Sequence, residues 1–144
     1  MFGPHLTLDL YGCNPAKLSD PKFIYKLLDE FPEVIGMHKI SKPSVTDFPG
    51  NPNSFDKGGV SAFVLITESH ISIHTFTADK FASVDIFSCN PFNIDKATKC
   101  LMEMLGAKKA ERNFIERGKG FVKHYPKDVK KSKDIVVRER ELVV

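Results

Sequence analysis

The sequence contains no tryptophan and has three widely spaced cysteines, Cys13, Cys89 and Cys100. No two of them form a CxxC pair, which argues against a structural zinc site. An odd, scattered set of cysteines also argues against a disulfide framework in a reducing compartment. We therefore expect that at most one of the three thiols takes part in chemistry.

Long apolar runs are also missing, since no stretch approaches the roughly 18 consecutive apolar residues that a membrane span needs. The first ten residues, MFGPHLTLDL, lack the basic and long apolar regions of a secretory signal. The chain has 144 residues, of which 42% are hydrophobic and 27% charged, as in soluble single domains that bury a core without disulfides. We expect a cytoplasmic protein that contacts no membrane.

The small net charge of +3 is concentrated near the C-terminus. Residues 122–144 contain seven Lys or Arg and four Asp or Glu, whereas residues 1–121 are balanced. We therefore predict a domain over 1–121 and a basic C-terminal extension over 122–144. Because no helix-turn-helix pattern or aromatic-basic interleaving accompanies this charge, we expect a solvated extension and no nucleic-acid partner.

Hydrophobic periodicity predicts both strands and helices. Leu6, Leu8 and Leu10 alternate with other residues, as in a half-buried strand. The pair Asp20-Pro21 predicts a helix start, and Pro32 predicts its end. The other predicted elements are strands over 34–40, 60–67, 69–76, 81–87 and 107–117, a loop over 41–59, and a helix from Asn93 or Asp95 to Leu105 that Gly106 stops.

The order of these elements predicts the fold class. Short connections between the middle strands favour antiparallel pairing. Two helices packed on one face of a mainly antiparallel sheet make a two-layer α+β domain. The opposite face of such a sheet needs a cover, and a second copy of the chain would supply one, so we expect a homodimer.

The densest polar cluster is the run from Glu68 to His74, ESHISIH, which falls at the start of a predicted strand. Ser69 follows a carboxylate at a tight junction between strands, His74 lies five residues further on, and Cys89 ends the next strand. A serine with a histidine is typical of hydrolases. However, the chain has no GxSxG motif, and no acidic residue can be assigned to orient the histidine. The spacing of the histidines indicates no metal site.

The run ESHISIHTF, preceded by GGVSAFVLIT and followed by VDIFSC, resembles the prokaryotic S-adenosylmethionine decarboxylase proenzymes, a family of small pyruvoyl enzymes. The resemblance covers roughly residues 4 to 118. It implies a sheet with helices on one face, assembled as a dimer of processed protomers. It also implies an enzyme that makes decarboxylated S-adenosylmethionine for spermidine synthesis.

The same resemblance implies roles for individual residues. The chain would cleave itself between Glu68 and Ser69, and Ser69 would become a covalent pyruvoyl group that forms a Schiff base with the substrate. His74 matches the histidine that removes the Cα proton of the serine during processing. Ser61 matches a serine that donates a hydrogen bond in that step. Cys89 matches the residue that protonates the substrate after CO2 has left.

The chain departs from the family pattern at the substrate-binding end. The family usually continues HTWPE, and its glutamate contacts the substrate ribose, whereas this chain reads Phe76-Thr77-Ala78. The contact could pass to the neighbouring Asp79. Phe55 matches a phenylalanine that stacks on adenine in the family, and Phe48 is the alternative. We expect substrate contacts from Phe55, Phe76 and Asp79.

Two other functions stay open at this point. Relatives of this fold use the same pyruvoyl group to decarboxylate arginine or ornithine, and Asp47, Asp56 or Asp79 could then bind the distal end of the substrate. Alternatively, the chain is an unprocessed homologue with a binding or regulatory role. We assign Cys13 and Cys100 to packing. We assign no direct role to His5 or His70.

Overall fold

The computed structural model describes residues 1–127 as an antiparallel sheet with helices on one face. Its strands are β1 (Gly3–Tyr11), β2 (Ser44–Phe48), β3 (Gly59–Ile66), β4 (Ser69–Phe76), β5 (Phe81–Ser88) and β6 (Lys109–Arg117). Its helices are α1 (Pro15–Leu18), α2 (Pro21–Val34) and α3 (Ile94–Leu105). Residues 128–144, which make up most of the predicted basic extension, lie outside the described residues.

The strand order in the sheet is β2-β3-β4-β5-β1-β6, and every neighbouring pair is antiparallel. Helix α2 packs on β2 and β3, and α3 packs on β1 and β6. The predicted two-layer α+β fold is therefore confirmed. Within residues 1–127, the helices are too short or too polar for any of them to cross a membrane.

The predicted helix boundaries rest on side chains that satisfy free backbone groups. The Asp20 carboxylate accepts a hydrogen bond of 3.0 Å from the Lys22 N–H at the start of α2. The Asn93 side chain accepts one of 2.9 Å from the Lys96 N–H at the start of α3. Gly106 ends α3 at φ 67°, a left-handed conformation that costs glycine little. These three predicted caps are confirmed.

The predicted strand over residues 34–40 is wrong. Helix α2 continues through Pro32 to its last residue, Val34, because a proline this close to the end removes few helical hydrogen bonds. The chain then turns at Gly36, with φ 73°. Residues 37–40 make one isolated bridge to the sheet, between Lys39 and Ile66, instead of a strand.

The predicted loop over residues 41–59 contains a strand that the sequence pattern did not reveal. Strand β2 runs from Ser44 to Phe48 at one edge of the sheet, between Pro43 and Pro49. Its residues are mostly exposed, so the alternation that marks a half-buried strand is absent. Helix α1 was also not predicted, and Asn14 caps it by accepting a hydrogen bond of 3.0 Å from the Ala16 N–H.

Alternation of side chains along the strands separates a core from an open face. One side of the sheet packs against the helices, and its leucines, isoleucines and valines are almost fully buried. The other side carries no helix among the described residues, and we call it the open face. Its residues include His5, Ser61, Phe63, Leu65, His70, Ser72, His74, Asp85 and Phe87.

A buried carboxylate fixes the turn between β3 and β4. The Glu68 side chain is 5% exposed, and it accepts hydrogen bonds from the Thr67 hydroxyl at 2.6 Å and from Nδ1 of His38 at 2.8 Å. The His38 N–H also donates to it, at 3.2 Å. Burial alone raises the pKa of the Glu68 carboxyl, but these hydrogen bonds outweigh burial and hold the pKa below its ordinary value. Residue 68 is thereby tied to the segment that follows α2.

We predict that this carboxylate contributes pH-dependent stability. Because the Glu68 pKa is lower in the folded chain, its contribution is complete above the ordinary pKa of 4.5 and is lost as the pH falls through the folded-state value. In a Ser69→Ala background, which prevents the predicted cleavage, Glu68→Gln should lower the free energy of unfolding by about 1.5–3 kcal/mol at pH 7. Denaturant unfolding at several pH values measures this difference.

The difference between the two chains should shrink at acid pH, as the pH falls through the lowered folded-state pKa of Glu68 and the carboxylate becomes protonated in the folded as well as the unfolded state. Glu30→Gln is the control, since Glu30 forms an exposed pair with Lys26 at 3.9 Å. It should change the free energy of unfolding by less than about 0.5 kcal/mol at either pH. A Glu68→Gln effect of the same size at both pH values would contradict the assignment.

Candidate active site

The peptide between Glu68 and Ser69 lies at the start of β4 in an unusual conformation. Ser69 has φ 157°, which places this non-glycine residue outside the regions that L-residues commonly adopt. The Glu68 carbonyl accepts a hydrogen bond of 2.8 Å from the Cys89 N–H. Ser69 pairs with Ser88 of β5, so Cys89 follows directly beside the junction. The structure thus brings Glu68, Ser69 and Cys89 together, and we call these three residues the junction group.

This geometry favours attack on the Glu68 carbonyl. A backbone N–H directed at a carbonyl oxygen stabilises the negative charge that develops there when a nucleophile adds to the carbon. Backbone strain of the kind seen at Ser69 is concentrated at functional sites in proteins. The buried Glu68 side chain keeps the carbonyl in place. The junction group can therefore position and polarise one peptide bond.

Hydrogen bonds also hold Cys89 from its C-terminal side. The Ser88 hydroxyl donates to the Asn90 carbonyl at 2.7 Å and accepts from the Asn90 N–H at 3.0 Å, which closes a turn around Cys89. The Lys123 ammonium donates to the Cys89 carbonyl. The Cys89 side chain is half-buried. Both peptide groups of Cys89 are thus held, one by the junction and one by the segment after β6.

Ser61 and His74 form a second pair at a distance from the junction group. They lie opposite each other on β3 and β4, on the open face, with Ser61 Oγ 2.9 Å from His74 Nδ1. His74 lies five positions after Ser69 on β4, and a strand rises about 3.3 Å per residue, so the two lie roughly 16 Å apart. The predicted processing histidine therefore contacts the predicted processing serine, but it does not reach Ser69 within one chain.

The predicted substrate-binding aromatics lie near the Ser61–His74 pair. The Phe55 and Phe76 rings stack with centroids 6.4 Å apart and an interplanar angle of 22°. Phe55 is 78% exposed, so one face of its ring is accessible. Phe76 ends β4, at the opposite end from Ser69. We call Ser61, His74, Phe55 and Phe76 the distal group.

The acidic candidates for substrate contact are less closely placed. Asp79 is exposed in the turn between β4 and β5, and its N–H donates to the Phe76 carbonyl at 3.2 Å. Asp56 accepts a hydrogen bond of 2.9 Å from the Gly58 N–H, so it supports its own loop. Phe48, the alternative aromatic, ends β2 and is 40% exposed. Asp56 therefore directly follows Phe55 but is engaged in its own loop, whereas Asp79 lies three residues after Phe76 in an exposed turn.

The other two cysteines pack as expected. The Cys13 side chain is almost fully buried, and burial raises the pKa of its thiol. The Cys100 thiol is 3.6 Å from the sulfur of Met104 on α3, and burial followed by the charge of Glu103 raises its pKa. Both thiols are therefore held in the unreactive protonated form at neutral pH. This leaves Cys89 as the cysteine beside the junction.

His5 and His70 form an aromatic cluster on the open face. Their rings meet edge-to-face with centroids 6.4 Å apart, and both contact the Phe87 ring. Burial, together with the nearby His5 and Arg117, lowers the pKa of His70, and Asp85 opposes this shift. His70 is therefore neutral at pH 7. No group of three His, Cys, Asp or Glu side chains suited to a metal ion occurs within residues 1–127.

Three features of the site could not be found from the sequence. His38 anchors Glu68 from a segment thirty residues earlier. The backbone N–H of Cys89, rather than its thiol, contacts the Glu68 carbonyl. Lys123 contacts Cys89 from the segment that we assigned to the solvated extension. None of these contacts involves a motif or a spacing, because each depends on how distant segments meet in the fold.

Comparisons with known proteins point to one family. A family model described as S-adenosylmethionine decarboxylase matches residues 4–118. An S-adenosylmethionine decarboxylase proenzyme of Clostridium botulinum (strain Loch Maree / Type A3) is 36% identical over 118 residues, which is 81% of this chain and 95% of the relative. The proenzyme of Prochlorococcus marinus (strain MIT 9211) is 33% identical over 118 residues, covering 81% and 90%.

A solved structure is similar as well. The crystal structure of the adenosylmethionine decarboxylase from Aquifex aeolicus VF5 superposes with a TM-score of 0.66 at 28% identity. The match covers 88% of this chain and 98% of that one. The conformation of the Glu68–Ser69 junction, the cysteine beside it and the extent of these matches lead to one conclusion: the chain belongs to the S-adenosylmethionine decarboxylase family.

Proposed function

We propose that this chain is a self-processing S-adenosylmethionine decarboxylase that cleaves itself between Glu68 and Ser69 to make a pyruvoyl cofactor. One observation carries the proposal: the Glu68 carbonyl is hydrogen-bonded to the Cys89 N–H at 2.8 Å, directly before a serine with φ 157°. The relatives named as S-adenosylmethionine decarboxylase proenzymes support this substrate over arginine or ornithine.

The processing reaction begins at the junction group. Ser69 Oγ attacks the Glu68 carbonyl carbon, and the amide becomes an ester as the C–N bond breaks and the amine of residue 69 is protonated. The charge that develops on the carbonyl oxygen faces the Cys89 N–H. A base then removes the Cα proton of Ser69, and the Glu68 carboxylate leaves. Water converts the resulting dehydroalanine to a pyruvoyl group and ammonia.

His74 is the base in this proposal, and Ser61 sets its tautomer. When Nδ1 of His74 carries the ring proton, it donates a hydrogen bond to Ser61 Oγ. Nε2 of His74 then has a free lone pair that can accept the Cα proton of Ser69. The Ser61 hydroxyl proton can then point to the oxyanion. The two residues lie opposite each other on neighbouring strands, so the sheet register fixes the pair.

A second copy of the chain could bring a distal group next to a junction group. Within one chain roughly 16 Å of strand separates His74 from Ser69, which is too far for a proton transfer. Sheets that pack face to face lie about 10 Å apart, so side chains on two facing open faces can meet. We therefore propose a homodimer in which the distal group of one copy meets the junction group of the other.

Symmetry and surface composition support this dimer. In a two-fold interface each patch contacts its counterpart twice, so both junction groups would be completed at once. Phe63 and Leu65 of β3 lie on the open face and are 46% and 41% exposed, which is apolar area that a facing sheet would bury. The substrate aromatics Phe55 and Phe76 lie at the same end of β4 as His74. In the dimer, Phe55 and Phe76 would therefore reach the partner's junction group together with His74.

The residues beside the junction fit a pyruvoyl group at position 69. Such a group supplies a ketone that takes up the substrate amine and accepts the electrons released with CO2. The Cys89 thiol would return a proton to the substrate carbon, from a segment fixed at both of its peptide groups. The stacked rings of Phe55 and Phe76 present a flat apolar surface suited to adenine and to a sulfonium cation.

Cleavage is the primary test. Purified wild-type protein should contain two chains that separate between residues 68 and 69, and Ser69→Ala should remain one intact chain with no decarboxylation above background, because alanine has neither nucleophile nor leaving group. Intact-mass measurement on fresh material detects both outcomes. Release of CO2 from labelled S-adenosylmethionine, arginine and ornithine identifies the substrate.

Ser72→Ala is the control, because it makes the same change on the same strand away from the junction. It should be cleaved like the wild type. A wild-type chain that stays whole would refute processing and favour an unprocessed binding or regulatory homologue. Cleaved protein that releases CO2 from arginine or ornithine instead would refute the proposed substrate.

A complementation experiment tests the shared site. We expect His74→Ala alone to remain uncleaved, since the base is missing from both sites of its dimer. Coexpressed with Ser69→Ala, the His74→Ala chain should be cleaved, because its own Ser69 meets the intact His74 of the partner. Intact mass distinguishes the two chains. Failure of cleavage in mixed dimers would show that the proposed pairing between copies is wrong.

The role of Cys89 makes a separate prediction. Cys89→Ala keeps the N–H that contacts the Glu68 carbonyl, so cleavage should proceed. Decarboxylation should fall by roughly 10²–10⁴-fold because the positioned acid is gone. Cys100→Ala, which removes a packing thiol from α3, should retain near wild-type kcat. Steady-state rates on cleaved protein measure both, and a fully active Cys89→Ala enzyme would exclude Cys89 as the donor.

A further inference from the structure

We propose that Lys123 is a positioning residue for the proton donor Cys89, and that the segment of residues 118–125 acts as a strap that holds the donor in place. This inference rests on the proposed function. The observation behind it is that Lys123 donates a hydrogen bond to the Cys89 carbonyl, from beyond the last strand of the sheet. Part of the predicted basic extension therefore contacts the proposed proton donor.

The strap is fastened to the start of β1. It begins at Gly118, whose φ of 60° favours glycine, and whose carbonyl accepts a hydrogen bond of 2.9 Å from the Phe2 N–H. A Cβ at position 118 would lie 2.5 Å from the Phe2 Cβ, so a larger residue does not fit there. The Phe121 ring meets the Phe2 ring edge-to-face at 5.3 Å, and Phe2 in turn contacts Phe87 of β5.

From this anchor the strap passes next to the donor. Cys89 and Lys123 line one cavity of about 340 Å³, together with His124 and Tyr125 of the strap. The Lys123 side chain is half-buried, whereas its neighbours Phe121 and Val122 are mostly exposed. Its ammonium is thus directed inward at the Cys89 peptide and not into solvent.

Lys123 becomes more important once the chain is cleaved. Cys89 lies just beyond the end of β5, so the regular ladder of the sheet does not fix it. Its N–H bonds to the Glu68 carbonyl, but cleavage makes Glu68 the end of a separate chain. The bond from Lys123 to the Cys89 carbonyl does not involve the cleaved peptide. A charged donor makes this a strong hydrogen bond, so it can hold the thiol during turnover.

The position of the thiol decides where the proton is delivered. Delivery to the substrate carbon completes decarboxylation. Delivery to the Cα of residue 69 instead leaves the substrate nitrogen there, so residue 69 becomes alanine, and the decarboxylated substrate departs as an aldehyde after addition of water. A donor displaced by about 1 Å can lose up to a hundredfold in rate. Loss of the strap contact should therefore lower the rate and also increase this self-inactivation.

The contact itself can be tested without turnover. In the uncleaved Ser69→Ala chain, Lys123→Met removes the ammonium but keeps most of the side-chain length. We expect amide hydrogen exchange in the peptide containing residues 88–90 to become faster, and Lys123→Arg to restore slow exchange. Lys119→Met is the control, since Lys119 is an exposed lysine of the same strap. Equal exchange in the Lys123→Met and Lys119→Met chains would contradict the contact.

Cleaved enzymes test the consequence for catalysis. Lys123→Met should lower kcat by roughly tenfold with little change in KM. It should also raise the number of chains beginning at residue 69 that carry N-terminal alanine, counted for each molecule of decarboxylated product released. N-terminal sequencing and product assays measure this ratio. This ratio does not depend on the fraction of folded enzyme, so a merely structural role would leave it unchanged. Lys123→Arg and Lys119→Met should keep the wild-type ratio.

The possible failures can be told apart. A wild-type chain that is not cleaved refutes the proposed function and this inference with it. Cleaved wild-type enzyme with normal rates, beside a Lys123→Met enzyme with the same kcat and the same alanine ratio, overturns the inference alone. A Lys123→Met enzyme that is faster than the wild type also overturns it, because the strap would then obstruct the donor.

Discussion

The two hydrogen-bonded ends of Glu68 are the constraint on which the site depends. Its carboxylate is bound by Thr67 and His38, and its carbonyl is bound by the Cys89 N–H. A residue held at both its side chain and its main chain cannot relax when the next residue is strained. The φ of 157° at Ser69 therefore persists, directly beside the peptide bond to be broken.

The division of the site into two groups follows from strand geometry. His74 lies five positions after Ser69 on β4, and the rise of the strand places the two residues roughly 16 Å apart. A single sheet therefore cannot bring this serine and this histidine together. Two sheets with facing open sides can, so the dimer is part of the chemistry in this proposal. In the proposed dimer, a second copy of the chain both covers the open face and completes the site.

The sequence predicted those elements whose causes are local. Asp20, Asn93 and Gly106 satisfy nearby backbone groups, and the alternation along β1 and β4 reflects burial on one side. The strand expected over residues 34–40 was wrong, because Val34 still belongs to α2 and the residues after it make one isolated bridge to the sheet instead of a ladder. Strand β2 was missed since an exposed edge strand needs no apolar alternation. The pairing of Ser61 with His74 follows the β3–β4 register, whereas the contacts of His38 and Lys123 bring together residues distant in sequence.

Cys89 connects the two stages of the proposed activity through three different groups. Its N–H acts on the Glu68 carbonyl before cleavage, its thiol acts on the substrate afterwards, and its carbonyl is held by Lys123. Cleavage changes the acceptor that the Cys89 N–H contacts, because the Glu68 peptide carbonyl becomes part of a terminal carboxylate. After that step the position of the thiol depends on contacts that do not involve the cleaved peptide, such as the turn between Ser88 and Asn90. A lysine from outside the sheet provides another such contact, because its hydrogen bond is independent of the peptide that breaks.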